Sequence, residues 1–403
     1  MREKTILIIG CFDTKGADFE YLYQCLVSHG LSIRTMNTGI METAVQFPID
    51  IPARDVALAA HTSLATLRKD KSRGNAVEAM GHGAAHIADE LVSDGKIHGI
   101  IGMGGGGGTY IFLSAVQRVP LSIPKLCLST LAGKDVSRAL GSKDVLLMPS
   151  IVDVAGVNRL SKILMARVAA ALTGMVQAKI PTDFANNKSI AISTFGNTTP
   201  CVAHCSDLLC RQDYEVLTFH AVGTGGRTME ELIDEGLFQG VLDVTTTELA
   251  DELCGGICSA GQDRLTAAGK WGLPQVVAPG CLDMVNFGPP ETVPKKYGGR
   301  RFFQWSPDVT LMRTNAEENA ILGMQMAQKL NASKGKVAVL FPLRGLSKIG
   351  SEGGAFYDPE IDQVLFDTLR KNLAPRIPIL EMDTHINDPI FAQRAVSELL
   401  AYM

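Results

Sequence analysis

Short β-branched apolar runs recur along this chain, each followed by glycine or hydroxyl residues and then by apolar residues at helical spacing. They fall at residues 5–9, 31–36, 97–101, 125–128 and 145–148, and again at 189–193, 215–219, 241–244, 275–278, 336–341 and 377–381. Strands that are apolar throughout, rather than alternating, are those buried on both faces, so the pattern reads as parallel sheets wrapped by crossover helices. Helices are predicted over 17–29, 75–93 and 157–177 in the first half, and over 200–211, 228–235, 315–330, 359–371 and 389–401 in the second. The expected fold class is α/β, with two doubly wound, mostly parallel-sheet, Rossmann-like domains. A polar stretch at 179–188, with Pro, Asn and charged residues, separates them, which puts the boundary near residue 185 and the domains at 1–185 and 186–403. Residues 285–308 are rich in Gly, Pro and aromatic side chains without a period, and read as an ordered functional loop or lid.

Composition removes several classes. With 46% hydrophobic and 20% charged residues over 403 positions, the chain is no disordered segment. A net charge of −4 without a basic block argues against nucleic acid as a partner. No apolar run approaches a membrane span, and residues 5–9 start a strand rather than a signal segment, so a cytoplasmic protein is expected. The nine cysteines lack a common zinc spacing and read as reduced thiols. His82 and His86 would share a helical face but have no evident third ligand, so no metal centre is expected. A mean hydropathy of +0.13 leaves apolar surface for a homo-oligomer interface.

In open parallel sheets ligands bind beyond the carboxyl ends of the strands, where loop amides and helix N-termini converge. The strongest signal there is Gly104, Gly105, Gly106, Gly107 and Gly108, followed by Thr109: bare backbone N–H groups and a positive helix end at which a phosphate can approach. Close packing of two elements is the alternative reading of such a run. Asp13, Thr14, Lys15 and Gly16 add a carboxylate, a hydroxyl and an ammonium on the first strand's loop. Asp153 and Asn158 lie on the loop after the fifth run, and Arg73 starts a long helix. The spacing of Gly102, Gly104 and Gly107 fits a dinucleotide fingerprint only formally, because a glycine run fits almost any spacing. The next strand ends in Ser129-Thr130 without the ribose-binding acid, and no Gly-Lys-Ser/Thr of a Walker loop is present. The expected nucleotide is held in a non-standard way.

In the second half Arg227, Glu248, Asp251, Arg264 and Arg344 follow strand ends. They suggest a pocket for a small acidic metabolite, with the arginines as carboxylate clamps and Glu248 or Asp251 as a base; a structural ion-pair network is the competing reading. Cys201 and Cys281 near turns are weaker candidates for nucleophiles, since no histidine is placed beside them.

Several strings together resemble a two-domain ATP-binding family, long uncharacterised, that includes the N-terminal part of a plant inhibitor of tobamovirus RNA replication. They are Asp13-Thr14-Lys15-Gly16, residues 101–109, Val152-Asp153-Val154-Ala155-Gly156-Val157-Asn158, residues 198–202, 219–226, 242–249 and 263–269, and Asp283-Met284-Val285-Asn286-Phe287-Gly288. The resemblance runs along almost the whole chain. It implies ATP in the N-terminal domain, with Mg2+ by association, and no settled reaction. This chain ends where the plant protein resembles a fusion to a further barrel-like domain, which implies a partner enzyme on a separate polypeptide.

Three readings stand at this point. The leading one is an ATP-binding protein with a second, acidic-metabolite pocket. The others are a lyase or hydrolase acting on a small carboxylate in the second domain, and a non-catalytic nucleotide-dependent binding or oligomerisation module.

Overall fold

The architecture is that of a computed structural model, which describes residues 4–179 and 188–403. The chain divides into two units, Met1–Pro181 and Thr182–Met403. The boundary expected near residue 185 lies outside the described residues.

The first unit runs β1 (Thr5–Gly10), α1 (Phe12–Ser28), β2 (Ser32–Asn37), α2 (Ala53–Ala59), α3 (Leu64–Asp70), α4 (Arg73–Ser93), β3 (Gly99–Gly104), α5 (Gly106–Ala115), β4 (Lys125–Ser129), α6 (Ser137–Leu140), β5 (Val145–Pro149) and α7 (Arg159–Gln177). Its five strands form a parallel sheet in the order β2-β1-β3-β4-β5. Alternate residues of each strand feed opposite layers. Ile6, Ile8, Ile101 and Met103 pack under α1 and α7 with Phe19, Leu22, Leu164 and Val168. Leu7, Ile9 and Ile100 pack on the other face with Met80 and Ala84 of α4 and Phe112 of α5. Both faces are covered, which is why the runs read as apolar throughout.

The second unit continues with β6 (Lys188–Thr194), α8 (Thr199–Cys210), β7 (Tyr214–His220), α9 (Thr224–Asp234), β8 (Gly240–Thr245), α10 (Thr247–Cys254), α11 (Ala267–Trp271), β9 (Gln275–Gly280), β10 (Met284–Phe287), β11 (Phe302–Ser306), β12 (Val309–Arg313), α12 (Ala316–Asn331), β13 (Val337–Pro342), α13 (Pro359–Asn372), β14 (Ile379–Met382) and α14 (Pro389–Tyr402). Six strands form a parallel sheet, β14-β13-β9-β8-β6-β7. The loop or lid expected at 285–308 is in part sheet: its two ends lie in β10 and β11, which with β12 form an antiparallel three-stranded sheet whose inner residues Met284, Val285, Phe287 and Leu311 are buried, while residues 288–301 between them are loop with two short 3-10 turns. Among the described residues no helix is long and apolar enough to cross a membrane.

Both parallel sheets have a point where the strand order reverses. It lies between β1 and β3 in the first sheet and between β6 and β8 in the second. These are the places where the loops leaving adjacent strands diverge and open a crevice.

Candidate functional site

At the switch point of the first sheet the loops after β1 and β3 border a cavity of about 800 Å³. Its lining includes Asp13, Thr14 and Lys15 from α1, all of Gly104–Gly108, Thr130 after β4 and Asp153 after β5. The α3–α4 connection adds Arg68, Lys71, Ser72 and Arg73, while Ile40, Leu67, Val77, Met80 and Ile111 supply an apolar wall.

The glycine run divides by role. A Cβ on Gly104 would stand 3.0 Å from the Gly108 Cα, and one on Gly108 would stand 3.2 Å from the Met103 carbonyl oxygen, so these two close the turn from β3 into α5. Gly107 meets Val77 at 3.3 Å. Gly105 has only Thr130 at 3.7 Å, and Gly106 has nothing within 4 Å. Packing therefore accounts for the ends of the run and leaves Gly105 and Gly106 bare towards the cavity. The first helical amide to find a partner within α5 is that of Thr109, bonded to the Gly105 carbonyl. The N–H groups of Gly106, Gly107 and Gly108 stand at the positive end of a ten-residue helix.

The strand-end residues of the first unit divide in the same way. Asp13, Thr14 and Lys15 belong to the first turn of α1, not to a loop before it, and the helix breaks locally at Lys15 (φ −128°). Asp13 Oδ2 accepts from the Met41 amide at 2.9 Å, while its Oδ1 is buried without a partner. Asp13 does not orient Lys15, whose ammonium donates instead to the Val154 carbonyl. Thr109 neither caps α5 nor faces the cavity: it is buried, with Oγ1 2.7 Å from Ser129 Oγ and 3.3 Å from the Gly104 carbonyl. Asn158 is the N-cap of α7, where it accepts from Leu160 and Ser161 in a capping box, and it does not line the cavity. Gly16 also lies outside the lining, close to Val45.

The charged groups of the second unit are not gathered in one open pocket. Arg264 is fully buried and its guanidinium is saturated: Nη2 donates to Asp243 Oδ1 at 2.6 Å, Nε to Glu248 Oε2 at 2.6 Å and Nη1 to Glu230 Oε1 at 3.2 Å. Glu248 is equally buried, and its Oε1 accepts the amides of Gly223 (2.7 Å) and Gly226 (3.1 Å) at the start of α9. The glycine loop of the second unit thus has a carboxylate of its own chain where the first unit's loop is bare. Arg264 cannot act as a substrate clamp, nor Glu248 as a solvent-facing base, because each is already held in this network. Arg344 is exposed and forms a bidentate pair with Asp383, both bonds at 2.7 Å, while Arg227 is exposed on α9. His86 faces Arg118 at 3.4 Å, and burial pushes the Cys281 thiol up.

Asp251 is buried too. Its carboxylate accepts from the amides of Cys258 and Asn286 at 3.1 Å and from Asn286 Nδ2 at 2.7 Å. Burial outweighs these bonds and pushes its pKa up to about 7. The folded chain therefore holds this proton more tightly than the unfolded chain, whose aspartate titrates near 4, and stability falls as pH rises from about 4 to about 7. Asp251→Asn should remove that share, on the order of 4 kcal/mol across the window. The unpartnered Oδ1 of Asn286 can turn to meet the new amide. Denaturation midpoints at pH 5 and pH 8 check this: the variant should lose less stability than the parent between them, and parallel profiles contradict it.

Of the residues expected from the sequence, the glycine loop, Asp13, Thr14, Lys15, Arg73 and Asp153 line this cavity together, and Arg68 and Lys71 join them without having been expected. The available signal was the polar turn Asp70-Lys71-Ser72, with a serine at an N-cap position, between two apolar stretches.

Comparison with known proteins gives the same division of the chain. Residues 4–181 match the N-terminal domain, and residues 187–403 the C-terminal domain, of an uncharacterised protein family, UPF0261. A UPF0261 protein of Clostridium tetani is 42% identical over 99% of both chains, and one of Rhizobium meliloti is 41% identical over 98% of both. The tomato (Solanum lycopersicum) ToMV resistance protein Tm-1(GCR237) is 34% identical over 98% of this chain, which spans 55% of that protein. Among solved structures, a UDP-N-acetylglucosamine 2-epimerase covering 99% of this chain, and 96% of its own, aligns at 12% identity with a TM-score of 0.25, too low a similarity to support an argument. With both domains matched in order along the chain, this protein belongs to the UPF0261 family.

Proposed function

We propose that the first unit binds a nucleoside phosphate, ATP in the first place, with a phosphate at the N-terminus of α5. The observation that carries this is the bare pair Gly105 and Gly106, facing a cavity lined by four cations, Lys15, Arg68, Lys71 and Arg73, against two carboxylates, Asp13 and Asp153. Helix amides and guanidinium groups are the groups that hold phosphate oxygens. The cavity lies within the roughly 300–1,000 Å³ of small-molecule sites. Its apolar wall suits the face of a base, and the unpartnered Asp13 Oδ1 suits a ribose hydroxyl or a metal-bound water.

Magnesium fits the donors present. It binds through one or two carboxylates together with phosphate oxygens, and Asp13 and Asp153 are the carboxylates of the lining. Bound there, it would neutralise phosphate charge. The chain's own contribution is to hold the polyphosphate on the α5 amides and Arg73, and to cover the base with Leu67, Val77 and Met80.

Calorimetric titration of the full chain with ATP, with and without magnesium, tests this beside NAD. The expected result is saturable ATP binding at one site per chain, with NAD much weaker because β4, the strand after the glycine loop, ends at Ser129 without the carboxylate that dinucleotide folds place there. No binding of ATP under either condition overturns the reading.

A further inference from the structure

The α3–α4 connection carries more positive charge into the cavity than one phosphate requires. Only Lys71 and Ser72 separate the two helices. Lys71 takes the left-handed conformation at the C-cap of α3 (φ 54°), a position that favours glycine or asparagine, yet the residue there is a lysine that lines the cavity. Ser72 caps α4 by accepting from the Asn75 amide, and Arg73 opens that helix. Its Nη2 stands 3.7 Å from where a Cβ on Gly107 would be, beside the N-terminus of α5. Arg68 donates through Nε to the Ile40 carbonyl, and no bond engages its terminal nitrogens among the described residues. The one acid of the segment, Asp70, is bonded to Asn75 at 2.7 Å and does not line the cavity. Neither Lys71 nor Arg73 forms an ion pair with a carboxylate among the described residues.

A single phosphate saturates the three free amides of Gly106, Gly107 and Gly108. Arg68, Lys71 and Arg73 then remain for charge beyond it. Resting on the nucleotide reading above, we infer that the segment Arg68–Arg73 is the seat of the ligand's outer phosphates, so that the site selects nucleoside di- and triphosphates over monophosphates. Lys71 and Arg73 set that preference, and inorganic tripolyphosphate shares the chemistry they recognise.

The test is a titration of the full chain with AMP, ADP, ATP and tripolyphosphate at one salt concentration, repeated on Lys71→Gly and Arg73→Gln. Glycine suits the left-handed backbone at 71, so that variant loses the cation without straining the turn. In the parent chain affinity should rise at least tenfold with each added phosphate, and tripolyphosphate should compete with ATP. In each variant the rise should flatten to below threefold per phosphate, and in Lys71→Gly AMP affinity should change less than threefold. ATP binding no tighter than AMP binding in the parent overturns the inference and leaves the nucleotide reading standing. A loss of AMP and ATP affinity in equal proportion in Lys71→Gly does the same. Tripolyphosphate bound without any adenine nucleotide supports the phosphate seat and sinks the nucleotide reading, and binding of neither overturns both.

Discussion

Gly106→Asp should lower ATP affinity by at least a hundredfold while leaving the fold intact. Position 106 is the first residue of α5, and a side chain there meets nothing within 4 Å. An acidic residue in the first turn of a helix is favoured by about 0.3–1 kcal/mol, so thermal stability should hold or rise slightly. The same carboxylate would sit where a phosphate must approach. Two unit charges about 4 Å apart repel by about 4 kcal/mol at the effective dielectric of a protein surface, which corresponds to roughly a thousandfold in affinity before screening. Gly106→Ala is the control: it adds a methyl group in open space without charge, and its affinity should stay within about tenfold. Calorimetry together with a melting curve checks both variants. An aspartate variant that binds ATP normally would place the phosphates elsewhere.

The largest stability effect should come from Arg264→Ala. Removing that guanidinium leaves the buried Asp243 and Glu248 facing each other and the largely buried Glu230, where burial already pushes the Glu230 carboxyl up. Breaking a buried ion pair by deleting one partner costs about 3–5 kcal/mol, and here one cation serves three carboxylates. The chain has two tryptophans, Trp271 and Trp305, and both lie in the second unit, so their fluorescence follows that unit in a denaturant titration. The expected result is a loss of about 4 kcal/mol or more in the tryptophan-reported transition, with ATP affinity of the folded protein unchanged. A variant as stable as the parent would mean that Arg264 is available for other work, and the substrate-clamp reading of that residue would return.

The two units were legible in the sequence because strands buried on both faces have a strong apolar signature. The runs at 5–9 and 241–244 lie inside β1 and β8, and the helix expected at 75–93 is α4 with two residues added at its start. Helices α2 and α3 were not legible, since seven residues hold too few turns for a period to show. That omission hid Leu67, Arg68 and Lys71, a whole wall of the cavity. The antiparallel sheet at 284–313 was missed because Gly and Pro dominate its connections. Pro307-Asp308 between two β-prone stretches was the turn signal available there. The glycine run was legible as a strand-to-helix turn bordering a crevice, but the difference between its members was not, because only packing shows that Gly104 and Gly108 close the turn while Gly106 is bare. The pairing of Glu248 with Arg264 and with the α9 amides was beyond reach for the same reason: charge is visible in a sequence, and burial of that charge is not.

Nucleotide should go to the glycine loop of the first unit and not to the similar loop of the second, which Glu248 already occupies. Amide hydrogen exchange with and without magnesium-ATP measures this directly. The expected result is slower exchange in peptides covering 104–110 and 68–77, with no change at 223–228. Protection at 223–228 with none at 104–110, or protection at neither, would mean that the first unit's glycine loop does not hold the nucleotide.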